Sequence, residues 1–393
     1  MRIFFLIFST FTVFTASAQA QIESDLDAEL VTVLSGYGDI DGEPQPENAM
    51  AELSLSGHAS KVLQNGVEVT ARFAFRAQND HPDRPGFAGH VIDCPPTVAG
   101  CPNVNGEGIQ GAFSRLTSTS DGQEYGARGS LESAYLAFDG GWGELVLGRD
   151  TGVAQRFYEG GPTVFSLARS ENPILDPSGI NIARVRNDIS STAEKVSVVS
   201  PRILGFRIGG SYTPDASVRR LDLNTGETFD NVLEAELGEA WEVGIQGYHF
   251  FREADLRLRG SLTWSQASVE TAIYDDVETW SYGFELEKRD VYQIGASYLT
   301  SSNGGLGDYH SMAAGGAWYW KDWAFKLSGN KSEDEALGLE GWTSTIGFGR
   351  SLGDHVDFTL GYRFAQTESN LRQFGTTQSL DREGVLLEIR ISE

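Results

Sequence analysis

From about Leu30 onward the chain alternates apolar residues with small or polar ones, in stretches that each close in a turn. The cleanest runs Val356-Asp357-Phe358-Thr359-Leu360-Gly361-Tyr362-Arg363-Phe364, with Val, Phe, Leu, Tyr and Phe on one face and Asp, Thr, Gly and Arg on the other. A period of two is the mark of a strand with one dry and one wet face. Sixteen such runs are expected, near 30–40, 49–61, 66–78, 126–138, 143–150, 192–200, 205–214, 239–251, 255–267, 279–288, 291–301, 311–321, 323–332, 341–352, 355–367 and 382–392. Helical periodicity is almost absent, so the pattern predicts one large, closed, antiparallel sheet.

The connections alternate in length. Short ones fall at Leu63-Gln64-Asn65-Gly66, Gly140-Gly141-Trp142, Pro201-Arg202-Ile203-Leu204, Arg252-Glu253-Ala254, Lys288-Arg289-Asp290, Lys321-Asp322 and Gly353-Asp354-His355. Longer, polar and often acidic ones fall at 79–125, 151–191, 215–238, 268–278, 302–310 and 368–381, with two short members of the same set near 41–48 and 333–340. Short turns on one rim and long loops on the other are the asymmetry of transmembrane β-barrels, as is an even strand count with both termini on one side. A soluble sandwich has no reason to sort its loops by parity. Aromatics recur on the dry faces near strand ends (Trp280, Tyr282 and Phe284; Trp342, Ile346 and Phe348), where interfacial girdles lie. The opposite faces carry Arg257, Arg259, Lys326 and Arg363.

The first twenty residues hold one basic residue, Arg2, an apolar run from Ile3 to Phe14, and Ala18-Gln19-Ala20. That is the order of a secretory signal peptide, expected to be cleaved after Ala20, and its apolar run is too short for a spanning helix. Mean hydropathy is slightly negative (−0.26) despite 11% aromatics, as expected where only alternate residues meet lipid. No linker or shift of composition divides the remainder.

Cys94 and Cys101 bracket a Pro- and Gly-containing loop and read as a disulfide pinning an exposed hairpin, with free thiols or a metal site as the alternatives. The net charge of −25 and a pI near 4.6 argue against a nucleic-acid partner. Six scattered histidines form no zinc motif, and no Gly-x-Ser-x-Gly elbow is present, so no enzyme and no cofactor is expected. The acidic outer loops, including Asp222, Glu227, Asp230, Glu234, Glu236, Asp275, Asp276, Glu333, Asp334 and Glu335, are candidate sites for calcium or for divalent ions bridging lipopolysaccharide, or simply keep the rim soluble. Asp222-Leu223-Asn224-Thr225-Gly226 has half the look of a calcium loop but lacks its closing Glu.

With these residues in view the chain resembles the general diffusion porins of Gram-negative bacteria, of the alphaproteobacterial type. The likeness is carried by Val33-Leu34-Ser35-Gly36-Tyr37-Gly38, by Ala134-Tyr135-Leu136-Ala137-Phe138 with Gly143-Glu144-Leu145-Val146-Leu147-Gly148-Arg149-Asp150, and by Gly210-Ser211-Tyr212-Thr213-Pro214. It implies a signal peptide at 1–20 and a porin domain at 21–393. It further implies a sixteen-stranded transmembrane barrel in the outer membrane, a homotrimer, and passive diffusion of ions and small hydrophilic solutes. The family usually ends in an aromatic residue, where this chain has Glu393.

The resemblance also implies that the loop from Thr151 to about Ser191 folds inward as a constriction. It brings Glu159, Glu171, Asp176 and Asp188, with Arg156, Arg169, Arg184 and Arg186. Strand parity with Phe73 and Phe75 turns Arg72 and Arg76 inward, and the same rule turns Lys195 and Arg207 inward. An acidic loop facing a basic wall is therefore expected at the narrowest point, with selectivity set by the sign of the lining charges. Two other readings stay open: a sugar- or anion-selective channel, and a secreted all-β adhesin or carbohydrate-binding protein.

Overall fold

Each short connection on one rim is a tight turn that needs a positive φ somewhere, and the sequence supplies a residue for it. Gly66, Gly143, Gly205 and Gly353 take that role in four turns, and Asp255, Asp290 and Lys321 in three more. Strands of alternating pattern joined this way can only pair with their sequence neighbours, and so they do. The structure is a computed structural model and describes residues 22–38, 47–81, 101–117, 127–223, 232–371 and 376–393. The expected signal peptide and Cys94 lie outside the described residues.

Sixteen strands close a barrel. They are β1 Glu23–Tyr37, β2 Ala49–Val62, β3 Glu68–Asn79, β4 Arg128–Gly140, β5 Gly143–Arg149, β6 Glu194–Val199, β7 Phe206–Thr213 and β8 Leu237–Phe251. Then come β9 Leu256–Val269, β10 Val277–Lys288, β11 Tyr292–Ser301, β12 Tyr309–Trp320, β13 Trp323–Asp334, β14 Leu339–Ser351, β15 Val356–Leu371 and β16 Thr376–Ser392. Neighbours pair antiparallel throughout, and β1 pairs β16 with Leu30 opposite Ile391 and Leu34 opposite Leu387. The backbone of Glu393 continues that ladder to Ala28. Closure leaves no unpaired edge, which a sheet in hydrocarbon requires. The first strand starts seven residues earlier than its alternation suggested: Glu23, Asp25 and Asp27 lie on the inner row with Val31 and Val33, and Leu26 extends the outer row of Leu30 and Leu34.

The dry face is the outer one. On β14, Trp342 and Ile346 are 42% and 61% exposed while Thr343 and Thr345 are 2% and 1% exposed. On β8, Trp241, Val243 and Ile245 point out while Glu242 and Gln246 are buried within. Such an arrangement is stable only in lipid. Ile346→Arg, which puts a charge on the lipid face, is expected to cost about 2–4 kcal/mol near the bilayer midplane and far less near the rims. Urea unfolding from lipid vesicles checks this; a cost near zero would mean that this face meets water.

The interior holds folded chain. The loop between β5 and β6 packs Val164, Phe165, Leu167 and Leu175 against Val31, Val33, Met50 and Leu386 on the inner wall. The long connection at 79–125 was expected to be wholly external, yet its 101–117 portion is tucked into the outer mouth. There its short strand at Glu107–Ile109 pairs with Asn103–Val104 and with Val232–Leu233. Phe113 and Ala112 join Tyr274, Leu299 and Tyr309 in a buried cluster. Asp334, expected in an exposed acidic loop, is instead fully buried and accepts hydrogen bonds from Ser114 and from the Leu337 amide.

Candidate functional site

The loop leaves β5 at Asp150, makes one turn of helix at Val153–Arg156, and then runs along the inner wall at mid-strand level. Its seat is a row of small wall residues. A Cβ on Gly283 would overlap the carbonyl of Glu159; one on Gly315 would overlap the carbonyl of Pro162; and one on Gly295 would press on Gly160. Only glycine lets backbone approach backbone this closely. Serines beside them supply hydrogen bonds: Ser261 accepts from the Glu159 amide (3.2 Å), and Ser297 pairs with the Tyr158 hydroxyl (2.9 Å).

Two buried wall carboxylates pin the loop. Glu388 on β16 accepts three consecutive amide hydrogens at the tip, from Ser166 (2.6 Å), Leu167 (3.1 Å) and Ala168 (3.2 Å). Glu242 on β8 accepts from the Ala154 amide (2.8 Å) and from the Ser190 hydroxyl, so it ties the outgoing leg to the returning one. Arg363, fully buried on β15, donates to the Ala168 carbonyl and to Thr345. The returning leg is stitched by Thr367 to the Ile180 carbonyl (2.6 Å) and by Tyr309, whose hydroxyl donates to Ile182 (2.8 Å) and accepts from the Arg184 amide (2.8 Å).

The residues singled out from sequence fall into distinct places. Lys195 is buried at the neck, donating to the carbonyls of Asp150, Ser190 and Ser191, so it joins the loop's two ends. Arg207 lies over the Phe157 ring (4.8 Å) and donates to Gln246 (2.7 Å), which donates in turn to Glu159 (2.5 Å). Burial pushes the Glu159 carboxyl up from its ordinary range. Arg76 is sandwiched between Glu52 and Glu132. Arg72 is exposed to the lumen and meets the Tyr135 hydroxyl at 3.5 Å, apart from the others.

The loop's carboxylates do not form the expected acidic edge. Asp176 is fully buried and is consumed by Ser178 and by the Asn181 amide; Asp188 is paired with Arg184. Glu171 is 4% exposed and faces Arg186 at 3.7 Å. A flexible acidic segment threading a barrel would have to leave amides unpaired, so the loop's carboxylates are spent on its own backbone and arginines. The charged loop residues that remain partly exposed are Arg156, which pairs with Glu144 on the wall, Arg169 and Arg186, with Arg186 stacked over the ring of the partly exposed Tyr158 (4.9 Å). Burial and the neighbouring guanidiniums push Arg169 down to about 10, still protonated at neutral pH.

Cys101 is buried and is not a free thiol. Among the described residues no group of three or more His, Cys, Asp or Glu could hold a metal ion, and Asn224 to Gly226 of the half calcium loop lie outside them. No helix among the described residues is long and apolar enough to cross a membrane.

The family model of the Gram-negative porins matches residues 9–370, without distinguishing an alphaproteobacterial branch. No curated protein matches the sequence. Among solved structures the chain is similar to an anion-selective porin from Comamonas acidovorans (TM-score 0.56, 13% identity, 95% of this chain and 100% of that one). It is similar too to Salmonella typhi OmpF in complex with daunomycin (TM-score 0.56, 11% identity, 94% and 97%). A third is the outer membrane channel DcaP of Acinetobacter baumannii (TM-score 0.55, 11% identity, 97% and 99%). At these identities the likeness is one of fold.

Proposed function

The chain belongs to the Gram-negative porin family, and from that premise we propose that it works as a homotrimer whose subunits each pass ions and small hydrophilic solutes around the pinned inner loop. As an outer-membrane porin it is a channel for passive diffusion and not a catalyst. The observation that carries the reading is the inversion of faces, apolar outside and hydrogen-bonding inside, with a loop fixed across the lumen at mid-strand. A barrel of sixteen strands has room for water beside such a loop. Arg72, Arg76, Lys195, Arg207, Glu159, Glu171 and Asp176 enter this reading as constriction residues in two senses. Lys195, Glu159 and Asp176 shape the loop, and the arginines and Glu171 set the local field.

Trimer formation is supported by the distribution of outward aromatics. Seven of the eight tryptophans lie on β8 to β14, and the eighth, Trp142, sits in a turn. Tryptophan and tyrosine mark the lipid–water interface. The outer faces of β16, β1, β2 and β3 carry leucines such as Leu30, Leu34, Leu53 and Leu55 with Phe73 and Phe75, but neither Trp nor Tyr. An arc without a girdle suits contact with another copy better than contact with lipid. The reading also includes cleavage after Ala20, a Cys94–Cys101 disulfide in the second outer loop, and lipopolysaccharide held through divalent ions on the acidic rim.

Liposome swelling tests the function. Vesicles holding the protein should swell quickly in pentoses, more slowly in disaccharides and not in long oligosaccharides. Vesicles that stay tight to pentoses would exclude it. In mild detergent the native mass should be three protomers, and Leu34→Lys should shift it towards one. An unchanged mass in that variant would place the interface elsewhere.

A further inference from the structure

We infer that the bore-facing edge of the inner loop is an anion-attracting surface built on Arg169 and Arg186, so that the channel favours small anions such as halide, carboxylate or phosphate although the chain as a whole is strongly acidic. The inference rests on the channel reading above. The loop lies inside the barrel, so whatever is exposed on it faces the bore. Its carboxylates are buried beneath it and the partly exposed charges are guanidiniums. Arg186 lies over Tyr158 and, among the described residues, pairs with one carboxylate, Glu171, at 3.7 Å. Arg169 donates its Nε to the neutral carbonyl of Ser166 (2.5 Å) and forms no ion pair among the described residues.

The wall within electrostatic range of Arg169 does not reverse this balance. Arg220 lies on that side, 3.5 Å from Glu132, and Glu132 is shared with Arg76, which also binds Glu52. Glu171, Glu132 and Glu52 are thus each engaged by an arginine other than Arg169.

The net charge of −25 does not argue against this, because distance and salt separate the two effects. The exposed acids lie at the two rims, at Asp215, Glu236, Asp275, Asp276 and Glu335 on the outer one and at Glu253, Asp255, Asp290, Asp322 and Asp354 in the short turns of the other. Their field reaches a passing ion only within a screening length of about 10 Å at 0.1 M salt and about 3 Å at 1 M. An ion passing the loop comes within contact of Arg169 and Arg186 at any salt. Without screening, a unit charge about 5 Å from a passing ion in water changes its passage roughly fourfold, and at 1 M salt screening reduces this to less than about twofold for each ion.

Reversal potentials in planar bilayers under a KCl gradient test the inference. At a mean concentration near 1 M, chloride should be preferred over potassium, and the preference should weaken as salt is lowered and the rim acids gain reach. Arg169→Gln should move the permeability ratio roughly twofold towards potassium at 1 M salt, Arg186→Gln should move it the same way, and Arg169→Lys should leave it near that of the parent. Potassium preference in the parent at 1 M, or a ratio unmoved by Arg169→Gln, overturns the inference while leaving a working channel. Absence of any conductance would take down the channel reading and this inference with it.

Discussion

Replacing Glu388 with alanine is expected to loosen the inner loop, raising single-channel conductance and adding noise to the open state. Its carboxylate receives three successive amides at the loop tip, and the residue itself is 4% exposed. Hydrogen bonds to a charged acceptor are worth about 1.5–3 kcal/mol each. Lumen water would satisfy part of what is lost, so the tip should be destabilised by about 2–4 kcal/mol rather than by the full sum. The barrel itself should survive, because its ladder does not pass through this side chain. Arg363, Thr367 and Tyr309 still hold the flanking parts, so the loop should swing at its tip and not detach. Glu388→Gln keeps an acceptor oxygen and should fall between. A Glu388→Ala channel as quiet and as narrow as the parent would show that the tip is held by packing alone.

Gly315→Val should act in the opposite sense. The loop backbone at Gly161 and Pro162 lies directly on the β12 backbone, and the added side chain has no flexible neighbour to displace. Either the loop lifts off the wall into the bore or the strand bends outward into lipid. Overpacking of this kind costs about 1–3 kcal/mol. Lifting the loop breaks fewer bonds than bending a strand paired on both sides, so conductance should fall and the size limit for sugars should tighten. Crossing Glu388→Ala with Gly315→Val should give a conductance between the two. A Gly315→Val channel of parental conductance would mean that the wall yields and the loop stays.

The barrel was legible in the sequence because alternation and loop parity are local signals that repeat. Each of the sixteen runs corresponds to a strand, and parity alone turned Lys195, Arg207 and Arg76 inward. The details of the loop were not legible for a physical reason: its partners are remote in sequence. Glu388 lies 222 residues from Ser166, and nothing near either residue advertises the other. Glu242 and Glu388 could have been noticed as carboxylates on wet faces of strands, but so could Glu285 and Glu287. Gly283, Gly295 and Gly315 read only as small residues of the wet face, and their role appears once Glu159 to Pro162 is laid against them. The expectation of an acidic loop failed because counting charges says nothing about which ones are spent internally. Asp176 and Asp188 are spent on Ser178, Asn181 and Arg184. The inward fold of 101–117 was missed for the same reason: Phe113 and Ser114 find Tyr309, Asn303 and Asp334 about two hundred residues away.

A barrel greased on its outside and wet within predicts one electrical signature. Purified protein added to a planar lipid bilayer should insert in discrete upward steps of current, each ohmic at low voltage and scaling with bulk salt conductivity. A membrane that stays silent at protein concentrations where insertion is confirmed would contradict it.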